Sequence, residues 1–99
     1  MANTTDLMIT VFDEETAAIN FINKETQLDF KKYSVPAKCG GTKVVIFEVY
    51  GTCQRCIGEE RIDMLITAFK KAPFSFPEWA ILFIDDDNGA YSGTVTFNT

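Results

Sequence analysis

Histidine is absent from this chain of 99 residues. That removes the commonest general base near neutral pH and the commonest metal ligand. It also rules out any catalytic set built on Ser/His/Asp or Cys/His. Basic residues are scarce, with nine Lys and Arg against 14 Asp and Glu and a net charge of −5. An acidic balance argues against generic binding to nucleic acid or to anionic lipid. Three Pro and six Gly are too few for a collagen-like or low-complexity chain. No apolar run approaches the roughly 18–20 residues a bilayer span requires. The first residues, Met-Ala-Asn-Thr-Thr-Asp, carry neither the basic start nor the apolar core of an export signal. The expectation is therefore a cytoplasmic protein that makes no membrane contact. Phosphate-binding loops, Gly-x-Gly-x-x-Gly and Gly-x-Ser-x-Gly are missing as well.

Apolar material is plentiful. Hydrophobic residues make up 46% of the chain, including nine Phe, three Tyr and one Trp, enough to fill one modest core. Residues 1–99 therefore read as a single globular domain. Leu7 to Phe12 is β-branched and apolar, with Leu7, Ile9 and Val11 on one face of a strand. Asp13 reads as a helix N-cap with Glu14 and Glu15 in the first turn, and Ala18, Phe21 and Ile22 give helical spacing over about 14–24. Tyr33 and Val35 suit a short edge strand that Pro36 ends, and Pro36 to Gly41, with the turn signal Gly40-Gly41, would close a hairpin onto the next strand. Lys43 to Tyr50 alternates with Val45, Phe47 and Val49 inward. Ile62, Leu65, Ile66 and Phe69 mark a second helix over about 58–71, stopped by Pro73 and Pro77. Trp79 to Ile84 is apolar throughout, as expected of a central strand covered on both faces. Thr94 to Phe97 alternates and should pair antiparallel with it.

The fold class that follows is α+β. Its order is β-α-(β)-β-α-β-β, with two helices packed on one face of a four- to five-stranded, mostly antiparallel sheet. The expected core is Ile9, Val11, Ile22, Val45, Phe47, Leu65, Ile66, Phe69, Ile81, Phe83 and Val95.

Three cysteines lie close together, at 39, 53 and 56. As plain residues they serve as small half-buried apolar groups in a reducing compartment. Cys53-Gln54-Arg55-Cys56 also follows a strong strand and precedes a helix, where a helix N-terminus favours the thiolate of the first Cys and the second resolves a mixed disulfide. The order of elements over residues 7–84 resembles the front half of a thioredoxin-like domain. That resemblance implies a thiol–disulfide oxidoreductase with Cys53 as nucleophile and Cys56 as resolving thiol. Thr52 stands where that family has an aromatic residue or Pro, and Val95 stands where it has a cis-Pro. Residues 36–58 in turn resemble part of a zinc ribbon, which implies Cys39, Cys53 and Cys56 as ligands of a structural zinc ion. Pro36 occupies the position of the missing fourth ligand.

Charge is segregated along the chain. Acid dominates residues 1–29, base dominates 31–55 through Lys31, Lys32, Lys38, Lys43 and Arg55, and acid returns at Asp85, Asp86 and Asp87. The Asp85 to Gly89 segment reads as an acidic hairpin turn. A calcium loop there would need acids at Ile84 and Val95. Phe74, Phe76 and Trp79 sit in a Pro-bounded loop, either as a plug over the core or as aromatic anchors for a partner. No residue set demands a cofactor, and zinc is the single one suggested. The leading expectation is a small acidic accessory or inhibitor-type protein, of the kind encoded by phages and mobile elements. It would bind a protein partner through Asp85, Asp86, Asp87, Phe74, Phe76, Trp79, Lys31 and Lys32. The redox and zinc readings stand beside it. Oligomeric state does not follow from the sequence.

Overall fold

The structure, a computed structural model, describes the backbone of residues 5–32, 37–39, 42–49, 59–86 and 92–98, and the side chains of the same stretches apart from 37–39 and 42–44. Alternation sets the first strand, β1 (Thr5–Val11), whose odd positions are buried and whose even positions are not. Helix α1 (Thr16–Thr26) follows, then short strands β2 (Phe30–Lys32) and β3 (Ala37–Cys39), and the long strand β4 (Thr42–Val49). Helix α2 (Glu59–Lys71), a single 3-10 turn over Pro77–Trp79, β5 (Ile81–Asp86) and β6 (Ser92–Thr96) complete the described chain.

Five strands lie side by side in the order β2-β4-β1-β5-β6, and β3 pairs with the start of β4. Every described pairing is antiparallel. Strand β1 is central, with Ile9 opposite Phe47 of β4 and Leu82 of β5. Two successive antiparallel steps make β1 and β2 run the same way with β4 between them, and likewise β4 and β5 with β1 between them. Each helix therefore bridges strands one place apart. These are the interleaved split β-α-β units of a ferredoxin-like topology, extended by β6. Such a topology is shared by many unrelated activities and fixes none.

Both helices bury one face against the same face of the sheet. Ile19 and Ile22 of α1, and Ile62, Leu65 and Phe69 of α2, join Leu7, Ile9, Val11, Val45, Phe47, Leu82, Ile84 and Val95 in one core. Each fully buried Ile, Leu or Phe contributes roughly 1.5–3 kcal/mol relative to exposure. Polar ties fix the edges of this layer. The Asn23 amide on α1 holds the start of β2, donating from Nδ2 to the Phe30 carbonyl (3.1 Å) and accepting at Oδ1 from the Phe30 N–H (2.7 Å). Arg61 donates to the Thr26 carbonyl at the end of α1 (2.9 Å), which joins the two helices.

The α+β class, the element order and the one-sided helix layer agree with the sequence reading. Four details do not. Helix α1 starts at Thr16 rather than 14, and its first turn holds no acid. Asp13 instead accepts the Glu14 N–H (2.7 Å), and Glu15 sits in the left-handed region at φ 38° as the residue before the helix. Ile66 is half-buried. In β5 the inward residues are Leu82, Ile84 and Asp86, so Ile81 and Phe83 are half-buried on the opposite face rather than core. Apolar side chains at every position from 79 to 84 left that strand without an alternation to read. Within the stretch 36–41 read as a hairpin closure, Ala37–Cys39 is itself a strand, paired with Thr42–Val44, while the edge-strand reading at Tyr33 and Val35 lies outside the described residues.

Candidate binding surface

Antiparallel register places the outward residues of neighbouring strands in rows across the sheet. One row runs Lys31, Glu48, Met8, Phe83, Thr94, and the next runs Ile46, Thr10, Ile81, Thr96. Met8, Ile46, Ile81 and Phe83 are all half-buried, and no described helix lies over them. A third row, at one end, sets Asp6 directly opposite Asp85, with Ser92 beyond. Both acids are exposed. Like charges directly opposed on neighbouring strands are destabilising. Met8, Phe83, Thr94 and these two acids border a concavity of about 270 Å³.

The other end of this face is aromatic. Phe12 extends the Asp6, Met8, Thr10 series past the end of β1. Its ring packs edge-on to Phe76 (5.0 Å between centroids) and tilted against Trp79 (5.3 Å). Trp79 remains 45% exposed. Glu15 holds this arrangement in place. Its carboxylate is buried and accepts the N–H of Ser75 at Oε1 (2.9 Å) and of Phe76 at Oε2 (3.0 Å). Within the 3-10 turn the Trp79 N–H donates to the Phe76 carbonyl (3.0 Å). An acid in the left-handed backbone region thus ties the helix entrance to the aromatic loop, and the loop delivers two rings to the edge of the open face.

The residues singled out in the sequence divide accordingly. Phe76, Trp79, Asp85 and Lys31 reach the open face or its rim. Phe74 does not, because its ring packs on Phe69 (5.3 Å) and Phe97 (5.6 Å) on the core side. Asp86 is 3% exposed and accepts a hydrogen bond from the Thr5 hydroxyl (3.1 Å), so it is an interior group and not a contact for a partner. The acidic hairpin turn read at Asp85 to Gly89 begins inside β5, since Asp85 and Asp86 are strand residues. Lys32 is exposed and pairs with Glu14 (2.6 Å), while Lys31 pairs with Asp29 (3.2 Å). Asp87, Cys53 and Cys56 lie outside the described residues, as does the side chain of Cys39, whose backbone pairs with Thr42. The redox and zinc expectations rest on those residues. Among the described residues, no three His, Cys, Asp or Glu side chains converge on a site for a metal ion.

Sequence reasoning missed Phe12, Met8, Ile46 and Phe83 as surface residues. A signal was present, because Leu7 to Phe12 and Lys43 to Tyr50 carry apolar groups at the outward positions Met8, Phe12 and Ile46 as well as the inward ones. No helix in the described structure is long and apolar enough to cross a membrane. Comparison with protein-family models, curated proteins and solved structures finds no match to this chain.

Proposed function

We propose that the chain is a small acidic binding module, of the accessory or inhibitor type, that takes a protein partner on the open face of its sheet. The observation that carries the reading is the half-buried apolar patch of Ile46, Met8, Ile81 and Phe83, over which no described helix lies, closed at one end by the opposed Asp6 and Asp85. Apolar contact supplies affinity, and Trp79 and Phe76 are the residue types that anchor interfaces. A basic group of the partner set between Asp6 and Asp85 relieves their repulsion and orients the complex. The same pair disfavours stacking of two copies with these ends together, since it would bring four carboxylates into contact.

The test is affinity capture from the organism that encodes the chain, run with the wild type, Phe83→Glu, Trp79→Ala and a helix-face control at an exposed residue, Asn20→Lys. A stoichiometric protein retained by the wild type and by Asn20→Lys, and lost with Phe83→Glu, is the expected result. Retention unaffected by Phe83→Glu and Trp79→Ala overturns the proposal, as does failure of the wild type to retain any protein.

A further inference from the structure

On the far side of the molecule the two helices leave a groove of about 400 Å³. Glu60, Asp63, Met64 and Lys71 line it from α2, at spacings that set them in one stripe along the helix. Phe21 and Glu25 line it from α1. The stripe from Glu60 to Lys71 spans about 16 Å at 1.5 Å per residue. Met64 is 47% exposed, one of two large hydrophobic side chains that stand out so far among the described residues. Three carboxylates surround this apolar floor against one ammonium. The bridged strands make α1 and α2 antiparallel, so Glu25 near the end of α1 and Glu60 at the start of α2 line the same end of the groove. A groove between antiparallel helices accepts a third helix by the ordinary ridge-and-groove packing of helical layers.

We infer that this groove is a second docking surface, which takes a basic amphipathic helix of a protein partner. Its apolar residues sit on Phe21 and Met64, and its Lys or Arg residues face Glu25, Glu60 and Asp63. The occupant follows from charge. An acidic helix, or a second copy of this net-negative chain, would set carboxylates against that rim. With the sheet face opposite, the molecule has two docking sides and can bridge two partners.

The test uses the full chain labelled at its methionine methyl groups, because Met64 reports on the groove and Met8 on the sheet face. The probes are three synthetic peptides of about five helical turns: Leu at i, i+3, i+4, i+7 with Lys elsewhere, the same pattern with Glu for Lys, and the Leu/Lys composition scrambled. Saturable movement of the Met64 methyl signal with the patterned Leu/Lys peptide alone is expected. Glu60→Gln with Asp63→Asn should weaken it about tenfold, and Asp6→Asn with Asp85→Asn, an equal change in charge, less than about threefold. Met64→Gln, an exposed substitution that removes the reporting methyl, gives a second route to the same loss, read in that variant by the fluorescence anisotropy of a labelled Leu/Lys peptide. An unmoved Met64 signal overturns the inference, and so does equal movement with the Glu or scrambled peptide, or equal weakening by the two charge-matched pairs. Movement of Met8 instead of Met64 also overturns it while leaving the sheet-face proposal standing.

Discussion

The two faces of the sheet are built from nearly the same residue types and end up in different conditions. On the covered face, Leu7, Ile9, Val45, Phe47, Leu82 and Ile84 lie under two helices and are at most 7% exposed. On the open face, Met8, Ile46, Ile81 and Phe83 stay half-buried with no described element above them. Adjacent residues make the contrast sharpest. Leu82 and Phe83 share a backbone, as do Asp85 and Asp86, yet each pair points to opposite sides. The covered face is explained by folding. The open face carries four half-buried apolar residues with no described helix above them, and its acids oppose each other, which is what the proposed association rests on.

Truncation across this divide gives the largest expected effect. Leu82→Ala should cost about 2–5 kcal/mol, because it deletes a wholly buried side chain and leaves a cavity. Phe83→Ala, although it removes more atoms, should cost less, about 1–2 kcal/mol, since its ring is only partly buried. Urea denaturation of the two variants measures the difference. Equal losses would mean that Phe83 is covered in solution and that the open face is not open.

The aspartates come next. Asp86→Ala removes the acceptor of the Thr5 hydroxyl at a buried site and should cost about 1.5–3 kcal/mol. Asp85→Ala should change stability by no more than about 0.5 kcal/mol and is expected to move it upward, since it relieves the repulsion with Asp6. A destabilised Asp85→Ala protein would show that the acid pair is held by an attraction within the fold, and the argument for a basic partner would fail with it.

Most of the covered face was legible in the sequence. The inward alternation of β1 and β4 and the helical spacing of Ile62, Leu65 and Phe69 each point one way. What resisted reading has a physical cause in each case. Residues 81–84 are apolar on both sides, so period two cannot say which side the helices take. Asp86 looks like turn chemistry beside Asp85 and Asp87, and its burial depends on Thr5, 81 residues away in the chain. Glu15 has the composition of a helix first turn, but it serves a loop 60 residues distant. Long-range polar partners such as these leave no local period. The open face was hidden for another reason, because Ile81 and Phe83 read as core and the outward Met8 and Ile46 sit between inward neighbours.

The smallest expected contrast comes from the ends of the covering helix α1, where two non-glycine residues occupy left-handed backbone, Glu15 at φ 38° and Gln27 at φ 58°. A side chain in that region costs roughly 1–2 kcal/mol, which Gly avoids at the expense of up to about 1 kcal/mol of extra freedom in the unfolded chain. On backbone grounds alone, both positions should gain from Gly. Their side chains separate them. Glu15→Gly also takes the acceptor from the Ser75 and Phe76 N–H groups and should lower stability by about 1 kcal/mol. It should also shift the fluorescence of Trp79, whose loop it releases. Gln27 has an exposed side chain, and its contribution at the helix end is a backbone N–H donated to the Asn23 carbonyl (2.8 Å), which Gly retains. Gln27→Gly should therefore raise stability by about 0.5–1 kcal/mol and leave Trp79 fluorescence unchanged. If Glu15→Gly proved as stabilising as Gln27→Gly, the buried carboxylate would not be what fixes the aromatic loop, and the placement of Phe76 and Trp79 beside the open face would need another cause.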